Sequence, residues 1–351
     1  MRARRFLDSD ADLTALAGRQ VGVIGYGNQG SAQAQNLRDS GIEVVIGNRA
    51  DDYRDRASAD GFDVVDIAEA TRRAQVVLLL IPDEVQPEVV SQHVAPGLTG
   101  GDTLVVASGY NLAFGLLTLP ERVDLVMVAP RMIGAAVRER YRQGKGYPCF
   151  VSVEHDASGT ALATALAVAR GIGATASGAV ASSAREEAAL DLFSEQAIWP
   201  AVIGILESSY RILSAAGFSD DAILDELYLS GEPAEVLAKA AQLGLVKQLR
   251  VHSHTSQYGQ LTNLQRQTDL IDTIERRFSE VLYDQILSGR FAEDWSSPAA
   301  RSEQRLDELH EQAAGDPLIL AEQSIISARP QQPTQQTSQS VDDSVGERRA
   351  P

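Results

Sequence analysis

A glycine-rich turn near the start of the chain constrains the fold more than any other feature. Residues 21–30 read Val-Gly-Val-Ile-Gly-Tyr-Gly-Asn-Gln-Gly, an apolar run that leads into the spacing Gly-x-Gly-x-x-Gly. A helix-length segment follows up to Gly41, and a second apolar run begins at Glu43. The order strand, turn, helix, strand is typical of the βαβ unit that binds a dinucleotide, with a purely structural glycine turn as the alternative.

Each glycine of this turn has a physical role in dinucleotide binding. Gly25 permits the tight turn, Gly27 lets a diphosphate approach the backbone, and Gly30 lets the helix pack closely on the strand. The helix N-terminus supplies unpaired N–H groups and a positive partial charge. We therefore predict that a dinucleotide binds to the whole turn: Gly25, Tyr26, Gly27, Asn28, Gln29 and Gly30.

Short apolar segments rich in valine continue through the first half of the chain. They alternate with helix-length stretches, and near-continuous apolar runs suit parallel strands that are covered on both faces. This half is therefore predicted to be an α/β domain of the Rossmann type, with a mostly parallel, doubly wound sheet. The later strands are predicted at 62–65, 74–81, 103–106, 125–128 and 149–153.

The pattern changes to long helical segments from about Ala184. A chain of 351 residues, 44% of them apolar, has enough mass for two domains. We predict a dinucleotide-binding domain over residues 1–183 and an all-α domain over residues 184–327. From Ala328 the chain is rich in Gln, Ser, Pro, Asp and Arg, so residues 328–351 are predicted to be a disordered tail.

Composition argues against several classes of partner and site. A net charge of −17 without a basic stripe argues against nucleic acid. We find neither a run of about 18 apolar residues nor a signal peptide, so we expect no membrane span and a cytoplasmic protein. Cys149 is the only cysteine, which excludes an internal disulfide and a thiolate metal cluster.

Three loops at the predicted carboxyl ends of strands are expected to face a ligand. Loop 47–54 carries acidic side chains, which favour a free ribose hydroxyl, and arginines, which favour a 2′-phosphate. Loop 81–84 is either a ligand contact or a Pro-Asp turn that caps a helix. Loop 107–111 has small residues that leave room for a nicotinamide ring, or it is a plain turn. The candidate cofactor residues in these loops are Arg49, Asp51, Asp52, Pro82, Asp83 and Gly109.

Asp191 and Glu195 are four residues apart and share one face of a predicted helix. Paired carboxylates on a helix usually face solvent. Here apolar side chains, including Phe193 and Trp199, surround the pair on most sides. Buried like charges are costly unless a cation or protons compensate them, and oxygen ligands suit Mg²⁺. The pair therefore indicates either a solvated face or a magnesium site.

These motifs together resemble the ketol-acid reductoisomerases, enzymes of branched-chain amino-acid synthesis. The resemblance covers residues from about Phe6 to Gln323. Its most specific motif is Asp-Leu-Phe-Ser-Glu-Gln at 191–196. Further matching segments are 25–30, 36–41, 80–84, 127–130, 155–159, 169–173 and 255–259.

The resemblance implies a Rossmann domain, then an all-α, knotted domain, and a homodimer or higher homo-oligomer whose partner completes the active site. It implies a reaction on a small 2-hydroxy-2-acyl acid held by two Mg²⁺ ions. An alkyl group migrates to the neighbouring carbonyl, and a hydride from NAD(P)H then reduces the 2-keto acid. It assigns Asp191 and Glu195 to metal binding and Ser253 to the substrate carboxylate.

Two departures from the family pattern concern the catalytic residues. Ser108 stands where the family has a histidine that is associated with isomerisation, and Arg131 stands where it has a lysine. Arginine keeps the charge but not the compact ammonium head. The candidate catalytic residues are therefore Asp191, Glu195, Arg131 and Ser108.

A third departure concerns the second acidic helix, where the family has Glu-x-x-x-Glu. Depending on the alignment, the matching positions are Tyr228 and Glu232 or Glu226 and Ser230. One carboxylate is missing in either case. We retain Glu226 and Glu232 as candidate metal ligands.

The sequence leaves three functions open. The main prediction is a Mg²⁺-dependent, NAD(P)H-dependent reductoisomerase on an acetolactate-like substrate. The alternative is a divergent paralogue that reduces a 2-keto acid or an imine without migration, and the third is a silent nucleotide-binding homologue. A serine that often grips the 2′-phosphate in the family falls at about Asp52, so we predict that NADH is preferred over NADPH.

Overall fold

The computed structural model describes residues 2–329. The chain divides into two compact units. The first comprises the described residues up to Ala197 together with Glu275–Glu293. The second comprises Ile198–Ile274 and the described residues from Asp294 onward.

The predicted boundary at Ser183 between a dinucleotide-binding domain and an all-α domain stays a prediction. Helix α16 (Pro317–Ala328) reaches the first residue of the predicted tail. The tail from residue 330 to 351 lies outside the described residues.

A nine-stranded sheet forms the core of the first unit, in the order β1-β9-β8-β7-β6-β5-β2-β3-β4. The pairs from β4 across to β7 are parallel, β8 is antiparallel to β7, and β1 is antiparallel to β9. The mostly parallel, doubly wound sheet is thus confirmed. The strands are β1 Arg5–Phe6, β2 Val21–Ile24, β3 Val44–Gly47, β4 Asp63–Val65, β5 Val76–Leu79, β6 Thr103–Val106, β7 Asp124–Pro130, β8 Cys149–His155 and β9 Ala179–Ala181.

Helices cover both faces of the sheet. The central strands β2, β5 and β6 are buried at every position, which explains their continuous apolar sequences. One apolar cluster includes Leu37 and Ile172, and the other includes Ile24 and Leu104. The helices of this part are α1 Asn28–Asp39, α2 Asp52–Ala59, α3 Ile67–Arg73, α4 Gln86–Val89, α5 Tyr110–Ala113, α6 Gly134–Arg142, α7 Ala161–Gly171 and α8 Ala184–Phe193.

The chain after α8 is helical throughout its described part, which confirms the helical C-terminal domain. A small buried cluster of Tyr210, Ile223, Leu224 and Leu318 holds the second unit together. The knot implied by the resemblance stays a prediction. The helices are α9 Trp199–Ala215, α10 Asp220–Leu224, α11 Glu232–Leu243, α12 His254–Leu264, α13 Thr268–Ser279, α14 Arg290–Trp295, α15 Glu303–Ala314 and α16.

Although the sequence has no unbroken run of about 18 apolar residues, one helical run, Ala184–Ala215, is long and apolar enough to cross a membrane by length and composition alone. Only 11% of its most apolar window is buried. The run contains the α-helices α8 and α9, joined by a π-helical turn at Ser194–Ile198. A large apolar surface is therefore exposed on α9.

The glycine turn between β2 and α1 is packed too closely for side chains. Gly25 has a φ of +93°, which favours glycine. A Cβ on Gly30 would lie 2.0 Å from the carbonyl oxygen of Gly25, whereas a Cβ on Gly27 would meet nothing within 4 Å. Gly25 and Gly30 therefore serve the fold, while Gly27 leaves open space in front of the helix N-terminus.

Replacing Gly30 with alanine is expected to lower the free energy of unfolding by about 2 kcal/mol or more, because backbone must move to admit the Cβ. Urea denaturation followed by circular dichroism measures this loss. Gly27→Ala is the matched control, and alanine for glycine at this helix N-cap costs only about 0.5–1 kcal/mol. Equal stability of the two variants would contradict the close packing at Gly30.

Candidate active site

The glycine turn lies at the carboxyl end of β2, where ligands bind in folds of this type. The N–H of Tyr26 donates to Asn48 Oδ1 at 3.1 Å, and Gln29 Nε2 donates to the carbonyl of Met132 at 2.8 Å. The ring of Tyr26 is fully buried and its hydroxyl donates to Asp60 at 2.7 Å. The side chain and the backbone N–H of Tyr26 are thus both engaged within the fold.

The loop after β3 contains two acidic residues with different surroundings. Asp51 caps α2 and accepts hydrogen bonds from the N–H groups of Tyr53 and Arg54, from Asn48 Nδ2 and from Arg49 Nε. The hydrogen bond from Arg49 is the main reason that the pKa of Asp51 is lowered. Asp52 begins α2 and is exposed.

The two arginines of this loop, Arg49 and Arg54, already have carboxylate partners. Arg49 Nε lies 2.8 Å from Asp51 Oδ2. Arg54 Nη1 donates to Asp66 Oδ1 at 3.0 Å and to the carbonyl of Asn48 at 2.8 Å. Of the two acidic residues, Asp51 is engaged by the loop and by α2, so Asp52 is the one left to face a ligand.

Hydrogen bonds join the loops that follow β5 and β6. Ser108 Oγ donates to Asp83 Oδ2 at 3.0 Å, and Asn111 Nδ2 donates to the carbonyl of Asp83 at 2.8 Å. Burial raises the pKa of Asp83, while the hydrogen bond from Ser108 acts in the opposite direction. Pro82 is exposed beside them. Ser108 therefore links the two loops through a carboxylate.

Arg131 follows β7 and lies between two carboxylates of α8. Its Nη1 pairs with Glu187 Oε1 and its Nη2 with Asp191 Oδ1, and its guanidinium lies 5.4 Å from the ring centroid of Phe150. Burial alone would lower the pKa of Arg131, but the charges of Asp191 and Glu187 outweigh it and raise the pKa. Two of the four candidate catalytic residues, Arg131 and Asp191, are thus in direct contact.

Glu187 is a site residue that the sequence analysis missed. Its side chain is buried, and Oε2 accepts the N–H of Gly109 at 2.7 Å. Burial raises its pKa. A Cβ on Gly109 would lie 2.2 Å from the carbonyl oxygen of Ala184, so the loop abuts the start of α8. The repeated spacing Glu187-x-x-x-Asp191-x-x-x-Glu195 is the signal that could have revealed it.

Glu195 lies one turn beyond Asp191 in the π-helical segment. Burial, and next the negative charge of Asp191, raise its pKa. Residues 2–329 contain no group of three or more His, Cys, Asp or Glu side chains with metal-site geometry. Asp191 and Glu195 nevertheless fit a hard divalent cation as a two-carboxylate donor set, since Mg²⁺ takes its other ligands from water and substrate.

The remaining candidates lie in the second unit. Glu226 is in a π-helical turn, Asp225–Leu229, and Glu232 begins α11. Both side chains are exposed. Gly231, with a φ of +82°, separates the two segments. A glycine with a left-handed backbone therefore interrupts the helical segment between the two candidate carboxylates.

Tyr228 and Ser253 have local structural partners. Burial and a hydrogen bond with Glu322 raise the pKa of Tyr228. Ser253 caps α12, where its Oγ accepts the N–H of Ser256 at 3.2 Å. Its role with the substrate carboxylate stays a prediction.

Two family profiles match nearly the whole chain. The profile described as acetohydroxy acid isomeroreductase, NADPH-binding domain, matches residues 15–178. The profile described as ketol-acid reductoisomerase, C-terminal domain, matches residues 185–331.

Relatives of known name agree with these profiles. A putative ketol-acid reductoisomerase 3 of Saccharolobus solfataricus is 45% identical over 291 residues, which cover 82% of this chain and 86% of the relative. A ketol-acid reductoisomerase (NADP(+)) of Pyrobaculum aerophilum is 38% identical over 318 residues, which cover 90% of this chain and 95% of the relative. These similarities extend through both units.

A solved structure shows the same fold. It is an NADH-preferring ketol-acid reductoisomerase from an uncultured archean, with a TM-score of 0.85 and 29% sequence identity. The alignment covers 93% of this chain and all of the other. On the strength of both profiles, these identities and this fold, the chain belongs to the ketol-acid reductoisomerase family and is an NAD(P)-dependent oxidoreductase.

Proposed function

We propose that the protein is a Mg²⁺-dependent, NADH-preferring ketol-acid reductoisomerase that acts in the cytoplasm as a homodimer or higher homo-oligomer. Its proposed substrate is an acetolactate-like 2-hydroxy-2-acyl acid. The observation that carries the proposal is the acidic face of α8, Glu187 and Asp191 followed by Glu195. Hydrogen bonds and ion pairs tie this face to the loops at the carboxyl edge of the sheet.

Each group has a proposed task. Within the turn from Gly25 to Gly30, the backbone N–H groups at the start of α1 would bind the diphosphate of the dinucleotide. Asp191 and Glu195 would hold Mg²⁺, with Glu226 and Glu232 as candidates for further ligands. When bound, Mg²⁺ would polarise the substrate oxygens and stabilise developing alkoxide charge. Ser253 would donate a hydrogen bond to the substrate carboxylate.

The preference for NADH rests on the charges of the loop after β3. Arg49 and Arg54 are each paired with a carboxylate, which reduces the positive charge that the loop presents to a 2′-phosphate. Asp52 is exposed and would repel that phosphate. The structural relative that prefers NADH is in keeping with this, whereas several sequence relatives are named for NADP(+).

We expect a higher kcat/KM with NADH than with NADPH. Asp52→Ser should raise kcat/KM for NADPH by about fivefold, since removal of one nearby like charge at a solvated site changes binding by roughly 1 kcal/mol. Steady-state rates with each cofactor measure both effects. Asp55→Ser, which removes the same charge one turn further along α2, is the control and should leave the ratio unchanged. A native preference for NADPH would contradict the proposal.

Ser108 limits the first half of the proposed reaction. Alkyl migration requires removal of the proton from the substrate hydroxyl, and general acid–base help of this kind contributes about 10²–10⁴-fold. Serine does not titrate near neutral pH. Its hydroxyl, moreover, donates to Asp83. Hydride transfer needs only a polarised carbonyl and a nicotinamide held close to it.

We therefore expect the ready-made 3-hydroxy-2-keto intermediate to be reduced faster than acetolactate is converted. Ser108→His should speed acetolactate conversion but close only part of the gap between the two rates, because Arg131 still stands where the family has a lysine. Rates of NADH oxidation with each substrate, with MgCl₂ and with EDTA, test this expectation.

Three other outcomes of that assay are informative. Equal rates with both substrates would show that Ser108 does not limit migration. Reduction of 2-keto acids or imines without any conversion of acetolactate would establish the non-isomerising reductase. Inactivity with every substrate, together with retained dinucleotide binding, would identify a silent homologue.

The proposed homo-oligomer rests on the exposed apolar surface of the second unit. Surface patches of this kind mark contacts with a partner. Ile212 is 70% exposed on α9. Further exposed apolar residues of the same helix are Trp199, Val202, Ile203 and Ile205. A second copy of the chain would bury them, and it suits this surface better than a lipid bilayer, because Glu207 and Arg211 lie among them.

We expect the double substitution Ile205→Glu and Ile212→Glu to convert the oligomer into a monomer. Two charges placed on an apolar interface cannot be desolvated without a large penalty. Size-exclusion chromatography with light scattering measures the mass. Leu162→Glu, at a partly exposed apolar position on α7, is the control and should keep the native mass. A monomeric wild-type protein would contradict the proposal.

A further inference from the structure

We infer that Arg131 is a built-in competitor of the divalent cation for Asp191, and that Glu187 is the positioning residue that retains Arg131 when the cation displaces it. This inference rests on the proposed function, because it takes Asp191 to be a metal ligand. It concerns a property of this chain that follows from arginine, rather than lysine, at position 131.

The competition follows from which atoms Arg131 contacts. Its Nη2 donates to Asp191 Oδ1, one of the two oxygens through which Asp191 can bind a cation. The Asp191 side chain is 40% exposed, so a cation can reach it from solvent. A metal ion and a guanidinium cannot occupy the same carboxylate lone pair. Binding of Mg²⁺ at the lone pair that Nη2 occupies therefore breaks the ion pair, and the guanidinium charge opposes a cation at the rest of the carboxylate.

Glu187 differs from Asp191 because the loss of its ion pair with Arg131 would cost much more free energy. Its side chain is 2% exposed, and Oε2 is already used by the N–H of Gly109. A buried carboxylate without a counter-charge carries a large desolvation penalty. Arg131 therefore stays on Glu187 through Nη1 while Nη2 leaves Asp191. The exchange alters one ion pair and preserves the other.

The fork geometry of arginine is what permits the competition. A planar guanidinium presents parallel donors to two acceptors at once, whereas a lysine ammonium is a single point on a flexible stem. Lysine at this position would satisfy the buried Glu187 and leave Asp191 to the cation. Arg131→Lys therefore removes the donor that competes for Asp191 while the net charge of the site stays the same.

The test is isothermal titration of MgCl₂ into the full-length wild-type protein and into Arg131→Lys. We expect the variant to bind Mg²⁺ about three- to tenfold more tightly, since one charge-assisted hydrogen bond to Asp191 no longer has to be broken. Arg138→Lys is the matched control. Arg138 also bridges two acceptors, Asn36 and Asp39, but away from the acidic face, so its replacement should leave the Mg²⁺ affinity unchanged.

A second measurement needs no functional variant. In ¹⁵N NMR spectra of the wild type, the Nε–H resonance of Arg131 should move during the Mg²⁺ titration with the same midpoint as the calorimetric binding, whereas that of Arg138 should not. This readout preserves the test if Arg131→Lys fails to fold. A stationary Arg131 resonance at saturating Mg²⁺ would overturn the inference.

The outcomes distinguish the inference from the proposed function. Equal or weaker Mg²⁺ binding by Arg131→Lys, with wild-type binding intact, overturns the competition and leaves the metal site standing. If neither protein binds Mg²⁺, both the metal site and the competition are wrong. Tighter binding by the variant supports the competition whatever substrate the enzyme proves to use, because the titration involves no turnover.

Discussion

The site depends on a buried carboxylate that cannot exist without partners. Glu187 is 1% exposed, and a charge so far removed from water is tolerated only when it is paired and hydrogen-bonded. It obtains a backbone N–H from Gly109 after β6 and a guanidinium from Arg131 after β7. The requirement to satisfy one side chain therefore fixes α8 against the ends of two strands. Asp191 and Glu195, on the same helical face, are oriented as a result.

That arrangement also determines the electrostatics of the site. Three carboxylates line α8 and the turn after it, and one guanidinium opposes them. Asp83, buried and joined to Ser108, adds a fourth negative group whose charge acts on both Asp191 and Glu195. Burial is the main reason that the pKa values of Asp83, Glu187 and Glu195 are raised, and the negative charge of Asp191 acts in the same direction on each of them. Such a cluster is suited to a divalent cation, and it differs from a solvated acidic helix, in which every carboxylate faces water.

The sequence predicted the fold where the pattern is strong and local. Apolar runs gave the strands from β2 to β8 because a strand buried on both faces must be apolar at every position. The short strands β1 and β9 were missed, since two or three residues at a sheet edge carry no periodic signal. Asp191 and Glu195 were recognised as a pair because four-residue spacing on a helix is local, whereas Glu187 was missed because its partners lie 56 and 78 residues away in the chain. Long-range pairing of this kind depends on topology and leaves no pattern in a single sequence.

In the loop after β3, the sequence likewise does not show which partners two neighbouring residues have. Asp51 and Asp52 are equivalent in the sequence, and both were predicted to face the ribose. In the structure Asp51 is the cap of α2 and accepts from two backbone N–H groups and two side chains. Substituting it would first destabilise the loop, because the helix would lose its cap and Arg49 its partner. Asp52, one position on, has helical backbone and an exposed side chain. Selectivity between dinucleotides can therefore reside in Asp52 without cost to the fold, whereas any change at Asp51 combines the two effects.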